Sequence, residues 1–254
     1  MMLTRQELSL IKELTLSDFK LRYKNSVLGF LWSLLKPLSM LITLYIVFRL
    51  FIRLESPDYA LSLLLGIVIW NFFAEGTSSG LNSINAKAGI VKKIHFRYEI
   101  LVISACLTAL LSFLLTFILA LLLIFIVKGG FSIIALYSLM LILELFFIML
   151  GLSLVLSVFF VYYKDIGHMW DVMLNIGFWL NPVAYPITFI PERYLGIYMS
   201  NPLARIITAF RDILLKNYLP SIQSLIITFI ISLAILLIGF LIYKSKAGNI
   251  AEDL

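Results

Sequence analysis

Two glutamates are the residues of this sequence best suited to chemistry in an apolar environment. Glu75 and Glu144 lie in long apolar stretches, and neither has a basic partner in its own stretch. An ionisable side chain at such a depth is a candidate functional group, because proton-coupled carriers need buried carboxylates. In the alternative interpretation, the two carboxyl groups form interhelical hydrogen bonds or face a polar pore wall. The sequence leaves both interpretations open.

Patterns that would indicate an enzyme are scarce. The sequence has no Gly-x-x-x-x-Gly-Lys phosphate-binding loop and no His-Glu-x-x-His zinc motif. Its two histidines, His95 and His168, fall in separate predicted loops. Its single cysteine, Cys106, excludes an internal disulfide and a cysteine-based metal site. We therefore expect no catalytic residue, metal or cofactor in this chain, and any energy from ATP must come through another polypeptide.

The composition is that of a membrane protein. Hydrophobic residues make up 62% of the chain and charged residues 13%, whereas soluble proteins have about 45–50% and about 25%. A spanning helix takes roughly 20 apolar residues, so 254 residues of this composition hold about six spans joined by short loops. The sequence thus predicts one transmembrane domain over residues 1–254, without a separate soluble catalytic domain.

The predicted fold is an all-α transmembrane protein with six spans. Apolar runs place the spans at 29–51, 60–82, 100–127, 133–160, 170–189 and 222–243. An even number of spans puts both termini on one side. That side would carry 12 of the 20 Lys and Arg residues and is therefore expected to be cytoplasmic. The net charge of +6 is explained by this orientation and by attraction to anionic lipids, so no nucleic-acid partner is expected.

The first 28 residues are predicted to form an amphipathic helix on the cytoplasmic membrane surface. Thr4 and Glu7 have capping-box spacing, and Leu8, Ile11 and Leu14 recur at helical intervals. A helix packed on other protein is the alternative. The interfacial residues singled out at the passage from water to lipid are Lys20, Arg22, Tyr23, Lys24, Ser26, Gly29 and Trp32. Gly29 is a candidate bend point, because glycine weakens a helix by roughly 1 kcal/mol relative to alanine.

Segment 85–99 is predicted to contact a soluble partner and the membrane at once. Its basic and apolar residues alternate, and the candidate coupling residues are Lys87, Ile90, Lys92, Lys93, Ile94, His95, Phe96 and Arg97. The alternative is a solvated cytoplasmic loop.

Segment 190–218 has too many prolines for a further span. Five of the seven prolines lie in or just after residues 181–219, which include this segment, and the apolar stretches between them are too short to cross a membrane. Broken backbone at membrane depth is tolerated only where protein or a watery cavity surrounds it. We therefore predict two re-entrant outer helices, around Glu192–Ser200 and Leu203–Lys216. An ordinary outer loop is the alternative.

Aromatic residues of the first two spans are candidates for contact with sugars. Phe30, Tyr45 and Phe48 share a helical face of the first span, and Trp70 and Phe73 cluster on the second. Tyr and Trp offer a flat apolar body with a polar tip, which suits the faces and hydroxyls of sugar rings. Interfacial belts and ordinary helix packing use the same residues.

The junction before the first span carries residues that resemble the motif at which ABC-2 type membrane permeases pass into the membrane: Arg22-Tyr23, Ser26, Leu28-Gly29, Leu31-Trp32 and Pro37. The likeness is to the polysaccharide and polyol-phosphate export subunits of bacteria, the Wzm, KpsM and TagG group. Further similar features follow in the same order, namely the basic segment after the second span, Asn181-Pro182 to Tyr185-Pro186, Asn201-Pro202 and Phe210-Arg211.

The resemblance implies a homodimeric channel in the bacterial inner membrane, joined to two copies of a cytoplasmic ABC ATPase. ATP and Mg²⁺ would then be bound by that partner. The implied cargo is a lipid-linked polysaccharide of the O-antigen, capsule or teichoic-acid kind. An ABC-2 exporter of drugs or lipids is one alternative, and an ion-coupled secondary carrier that uses Glu75 and Glu144 is another.

The resemblance also implies roles for particular segments. The interfacial helix maps to Leu8–Tyr23, the coupling helix to Asn85–Arg97 and the outer gate to the Pro191–Lys216 region. The gate residues carried over, including those of the preceding break, are Asn181, Pro182, Tyr185, Pro186, Asn201, Pro202, Arg205 and Arg211. A path for cargo would pass Phe30, Tyr45, Phe48, Trp70, Phe73 and Glu75.

Overall fold

A computed structural model describes residues 4–24, 29, 31–51, 53, 58–91 and 96–249. All regular secondary structure in these residues is helical. The α-helices are α1 (Arg5–Tyr23), α2 (Leu31–Ile46), α3 (Tyr59–Ala86), α4 (Ala88–Val91), α5 (Glu99–Lys128), α6 (Ser138–Tyr162), α7 (Asp165–Leu180), α8 (Glu192–Tyr198), α9 (Pro202–Lys216) and α10 (Ile222–Lys246). A π-helical turn, Val47–Phe51, continues α2, and a 3₁₀ turn, Ile133–Tyr137, precedes α6.

Five helical segments among the described residues are long and apolar enough to cross a membrane. They are Leu31–Arg49, Tyr59–Ala86, Glu99–Lys128, Ile133–Tyr162 and Ile222–Lys246. Each overlaps one of the predicted spans. The protein is therefore an all-helical integral membrane protein.

The helix at the predicted fifth span differs from the expected 170–189. α7 has 16 residues, a length of about 24 Å at 1.5 Å per residue, which is less than the roughly 30 Å of a hydrocarbon core. It ends at Leu180 because Asn181 precedes a proline and adopts an extended backbone, with φ −99° and ψ 155°. Pro182 in turn has no N–H to continue the helix. The helix therefore ends nine residues before the predicted end of the span at 189.

Helix α3 is at the centre of the described fold. It packs along α5 and α6, and Leu63, Leu65 and Ile67 on it are completely buried. α6 also packs along α10. At their crossing, a Cβ added to Gly239 would lie 2.2 Å from the carbonyl oxygen of Gly151. Such close backbone approach requires small residues and is typical of transmembrane helix pairs.

Helix α1 begins as the sequence predicts and packs against α5. The Thr4 hydroxyl accepts a hydrogen bond from the Glu7 N–H, and the Glu7 carboxylate accepts one from the Thr4 N–H at 2.7 Å. That backbone bond lowers the pKa of Glu7. Ile11 and Thr15 are buried, and the Thr108 hydroxyl of α5 donates to the Thr15 carbonyl at 3.3 Å. One face of α1 thus packs on protein, which was the alternative to a purely interfacial helix.

Helices α8 and α9 lie where the two outer helices were predicted. The side chain of Asn201 caps α9 by accepting a hydrogen bond from the Leu203 N–H at 3.0 Å. Ile206, Phe210 and Ile213 form the fully buried face of α9, which packs mainly against α3 and α6. The re-entrant placement of these helices in a bilayer stays a prediction.

Candidate functional site

Two adjoining cavities form a groove between α2, α3, α5 and α7. One has a volume of about 510 Å³ and the other of about 610 Å³. Lys36, Asn71 and Ala74 line both, so the cavities adjoin at these residues. We call the first the basic cavity, since Arg22 lines it, and the second the aromatic cavity, since Trp179 lines it.

An ion pair between α1 and α3 lies in the basic cavity. Glu75 pairs with Arg22, and Arg22 also donates to the Ser112 hydroxyl of α5 at 3.0 Å. Three helices therefore meet at one guanidinium. The partner that Glu75 lacks in its own helix is supplied by the last turn of α1.

Lys36 adds a second cation to the same cavity. It lies on the exposed side of α2 and lines both halves of the groove. Among the described residues, no carboxylate forms an ion pair with Lys36. Since Glu75 is the acidic side chain that lines the basic cavity, its described lining carries an excess of positive charge.

A row of hydroxyls on α5 forms the wall of the basic cavity opposite α2. Ser104, Thr108, Ser112 and Thr116 recur every four residues, and the last two line the cavity. Thr108 donates to the Ser104 carbonyl at 2.9 Å, and Ser112 and Thr116 each donate to the carbonyl four residues earlier at 3.3 Å. Hydroxyls bonded in this way keep oxygen lone pairs to accept further hydrogen bonds.

The aromatic cavity combines ring faces with amides. Trp70, Phe178 and Trp179 form an edge-to-face series, with ring centroids 6.1 Å and 5.1 Å apart. Trp179 keeps 55% of its surface exposed, and Asn71 and Asn175 lie beside these rings in the lining. Aromatic faces next to amide groups suit a ligand with apolar faces and hydroxyl edges, such as a sugar ring.

Of the residues predicted to line a path, some line the groove and others are packed elsewhere. Trp70 and Glu75 line the groove. Phe73 is buried between Trp70 and Trp170, with ring centroids at 5.6 Å and 6.3 Å.

Tyr45 and Phe48 pack on Tyr59 and line neither cavity. Their ring centroids lie 6.2 Å and 6.3 Å from that of Tyr59. Their shared helical face was predicted from spacing, but spacing does not say which neighbour that face meets. Phe30 lies outside the described residues.

Some of the predicted interfacial residues are exposed, and others line the basic cavity. Lys20 and Lys24 are exposed, whereas Arg22 and Gly29 line the basic cavity with Trp32, which is 58% exposed. Gly29 has φ 45°, in the left-handed region that favours glycine. Ser26 and the side chain of Tyr23 lie outside what the structure describes.

Helix α1 is tied to both ends of segment 85–99. Near the start, Lys87 pairs with Asp18 at 2.6 Å. Near the end, Arg97 pairs with Glu99 at 2.6 Å and approaches Glu7 at 3.6 Å.

The middle of segment 85–99 is described only in part. Phe96 packs edge-on against Tyr98 with centroids 5.5 Å apart. Lys92, Lys93, Ile94, His95 and the side chain of Ile90 lie outside the described residues.

Arg211 braces the break that follows α7. Its side chain is buried, and it donates to the carbonyls of Ser62 at 3.1 Å, Tyr185 at 3.2 Å and Val183 at 2.9 Å. A Cβ added to Gly66 of α3 would lie 2.6 Å from that Val183 carbonyl. The guanidinium thus satisfies the Val183 and Tyr185 carbonyls, which lie in the non-helical break. The lack of a side chain at Gly66 lets α3 approach this break.

The other predicted gate residues also bond across the break. The Asn201 amide donates to the Asn181 side-chain oxygen at 3.0 Å, and the Tyr185 hydroxyl donates to the Trp179 carbonyl at 2.8 Å. Arg205 joins α9 to α10 by donating to the Thr228 hydroxyl at 3.0 Å. These contacts hold α8, α9 and α10 against the end of α7, and Pro202 opens α9 at its first position.

Glu144 lies away from the groove. It is completely buried in α6, and neither carboxylate oxygen has a hydrogen-bond partner in the part of the chain that the structure describes. Among the described residues, Glu144 therefore forms none of the interhelical hydrogen bonds considered for it. Glu75 lines the basic cavity, whereas Glu144 lines neither half of the groove.

One local match to an enzyme pattern is explained by its secondary structure. Residues 76–80 read Gly-Thr-Ser-Ser-Gly, which fits Gly-x-Ser-x-Gly. That pattern makes a nucleophile when it forms a sharp turn between a strand and a helix. Here it lies inside the continuous helix α3, and Gly76 and Gly80 allow α6 to approach through Met149 and Ser153.

Several groove residues were not singled out from the sequence: Lys36, Asn71, Ser112, Asn175, Phe178 and Trp179. Lys36 and Asn71 did leave a signal, because each is a polar interruption of an apolar span. The others depend on which face of α5 or α7 turns toward α3.

Comparison with known proteins identifies the family. The model of the ABC-2 type transporter family matches residues 9–215, which include α2, α3, α5 and α7 and the Arg22 end of α1. The chain belongs to the ABC-2 type transporter family.

This ABC-2 chain is similar to individual polysaccharide transport proteins, and the similarity covers nearly their full length. It is 29% identical to the O-antigen export system permease protein RfbA of Klebsiella pneumoniae, over 96% of this chain and 95% of that protein. It is 25% identical to RfbA of Myxococcus xanthus, with the same coverage. The polysialic acid transport protein KpsM of Escherichia coli is 22% identical over 93% of each chain.

Proposed function

We propose that this ABC-2 chain is the channel-forming subunit of an ATP-driven exporter that moves a lipid-linked polysaccharide across the bacterial inner membrane. The groove carries the proposal, because its basic cavity adjoins a cavity lined by tryptophan, phenylalanine and asparagine side chains. A polymer of sugars with an anionic lipid end matches both halves. The names of the relatives, O-antigen export permease and polysialic acid transport protein, support the same cargo.

The assembly that we propose is a homodimer with two copies of a cytoplasmic ABC ATPase. That partner would hold ATP and Mg²⁺. Helices α2 and α7 expose broad apolar faces that include Trp32, Ile42, Met173 and Trp179. Two such faces around two grooves would enclose a continuous path.

The proposed topology has six spans and cytoplasmic termini. α7 and the break after it together make the fifth crossing, and α8 and α9 re-enter from the outer side. Segment 85–99 would receive the motion of the ATPase. α1 would carry that motion to the first span, because its ion pairs at Lys87 and Arg97 hold both ends of the segment.

Deletion of the gene, followed by complementation, tests this function. We expect loss of surface polysaccharide and accumulation of lipid-linked polymer, with unchanged drug sensitivity. Complementation with Trp179→Ala should restore export poorly, while Phe125→Ala, another exposed aromatic outside the groove, should restore it fully. Normal surface glycans with new drug sensitivity would instead indicate a drug or lipid exporter.

A second set of variants separates ATPase coupling from a secondary carrier. Under our proposal, Lys92→Glu with Lys93→Glu abolishes export because the ATPase contact is lost. A carrier that uses Glu144 as a proton site would instead lose transport in Glu144→Gln. Export that survives the lysine reversal but not Glu144→Gln would contradict the proposal.

A further inference from the structure

The basic cavity has the charges of an anion site that is already occupied by a side chain. Two cations, Arg22 and Lys36, line it with one carboxylate, Glu75. The carboxylate of Glu75 forms an ion pair with the Arg22 guanidinium. Lys36 keeps its charge without an ion pair among the described residues.

The hydrogen-bonding groups of the cavity fit a phosphate. A guanidinium presents its N–H groups as a fork that binds carboxylate and phosphate oxygens in the same way. The carboxylate of Glu75 therefore uses the donors that a phosphate would use. The Asn71 amide and the hydroxyls of Ser78 and Ser112 add further polar groups to the lining.

The space of the cavity suits a phosphate that carries a larger group. Its volume of about 510 Å³ lies within the roughly 300–1,000 Å³ typical of ligand pockets. Trp32 supplies an exposed apolar surface. The aromatic cavity adjoins it at Lys36 and Asn71, so that a bound phosphate would have space beside it for attached sugar rings.

We propose that the basic cavity binds the phosphate of a lipid headgroup, and that Glu75 is a built-in competitor that holds Arg22 while the site is empty. A phosphate that enters displaces Glu75 from Arg22. The site then presents two cations to the anion, and a diphosphate that joins a lipid to a sugar carries two negative charges. This inference rests on the proposed function for the source of the phosphate, the lipid end of the cargo.

The same exchange links ligand binding to α1. When Glu75 releases Arg22, the ion pair between α1 and α3 is lost, while Asp18 and Glu7 of α1 still contact segment 85–99. Coupling between phosphate binding and the position of α1 is reciprocal. If one position of α1 strengthens phosphate binding, bound phosphate stabilises that position.

Opposite mutational effects on the two ion-pair partners test the proposal. The full chain, purified in a phosphate-free maltoside detergent, is titrated with a fluorescent polyprenyl diphosphate, and binding is followed by anisotropy. Glu75→Gln should lower the Kd about fivefold, because a partly exposed competing ion pair is removed. Arg22→Gln and Lys36→Gln should each raise the Kd roughly tenfold, and Arg22→Lys should recover part of the loss.

A second ion pair that also has its carboxylate on α3 provides the control. Asp58 at the start of α3 pairs with Lys128 at the end of α5, and neither residue lines the groove. Asp58→Asn removes one carboxylate as Glu75→Gln does, yet it should leave the Kd unchanged. A similar decrease in both variants would show a general charge effect and overturn the proposal.

The remaining outcomes are equally decisive. A Kd raised by Glu75→Gln as well as by Arg22→Gln would show that the pair is only structural. Equal binding of a fluorescent polyprenol without phosphate would exclude phosphate recognition. Competition by phosphatidylglycerol as strong as by unlabelled diphosphate would support the phosphate site and assign it to bulk lipid. If deletion leaves surface glycans normal while the opposite shifts hold, the proposed function fails and this site stands.

Discussion

The guanidinium of Arg211 donates a hydrogen bond to the carbonyl oxygen of Val183 at 2.9 Å. This contact lies where the chain has left the helical ladder of α7. Arg211 also reaches the carbonyls of Tyr185 and Ser62, so that one side chain joins α9, the break and α3. A helix that ends inside a membrane protein needs such donors, because an unpaired backbone carbonyl is costly in an apolar environment.

Loss of this guanidinium should destabilise the fold. Arg211→Met removes the donor of the Val183 and Tyr185 carbonyls in the break, and hydrogen bonds from a charged group contribute about 1.5–3 kcal/mol each. We expect a clearly lower midpoint of thermal unfolding, measured by intrinsic fluorescence in detergent, and a smaller decrease for Arg211→Lys. Arg193→Met, on exposed α8, is the control and should leave the midpoint in place. An unchanged midpoint for Arg211→Met would refute the bracing role.

The crossing of α6 and α10 should not tolerate a methyl group. A Cβ on Gly239 would lie 2.2–2.8 Å from backbone atoms of Gly151, and backbone cannot move aside as a flexible side chain can. Gly239→Ala should cost about 1–3 kcal/mol of stability and reduce the yield of monodisperse protein in size-exclusion chromatography. Gly196→Ala, where nothing lies within 4 Å of the added Cβ, should elute as the wild type does. Equal yields would contradict the packing described.

Glu144 should be dispensable for stability. Both of its carboxylate oxygens are buried without hydrogen-bond partners among the described residues, and replacing an unsatisfied buried polar group by an apolar one is often neutral or stabilising. Glu144→Leu should therefore keep or raise the thermal midpoint.

The comparison variant is Glu99→Leu. Glu99 accepts two hydrogen bonds from Arg97, at 2.8 Å and 2.6 Å, so its loss should lower the midpoint. A midpoint that falls in Glu144→Leu by as much as in Glu99→Leu would show that Glu144 has a stabilising partner.

The contact between α1 and segment 85–99 should carry coupling more than stability. Lys87→Asp breaks the pair with Asp18; a part-exposed pair of this kind contributes about 1 kcal/mol or less to stability. We expect export, measured as surface glycan, to fall roughly fivefold with a nearly unchanged thermal midpoint. The double exchange Asp18→Lys with Lys87→Asp should restore export. Failure of the double exchange to restore it would argue against a role for this pair.

Much of the helical arrangement was predictable from the sequence because apolar length and prolines act locally. The capping box at Thr4 and the two outer helices around Pro202 follow from side-chain chemistry within a few residues. The end of α7 also has a local signal, Asn181-Pro182, but the apolar residues after it suggested a longer span.

The groove was less predictable because it depends on helix rotation and on contacts between distant segments. Glu75 was visible as a charge in an apolar run, but its partner Arg22 lies two helices earlier. Tyr45 and Phe48 had the right types for a path and yet pack on Tyr59. Lys36, at the junction of both cavities, was recognisable only as a single charge inside the first span.

Under our proposal, this chain forms a path for lipid-linked polysaccharide, and a separate ATPase drives transport. The most direct measurement is transport in proteoliposomes that contain the purified chain with its cognate ATPase and a labelled lipid-linked glycan. We predict ATP-dependent movement of the glycan across the bilayer, with no ATP hydrolysis by this chain alone and a strong decrease in Trp179→Ala. ATP hydrolysis by the chain alone, or glycan movement that needs neither ATP nor the ATPase, would contradict the claim.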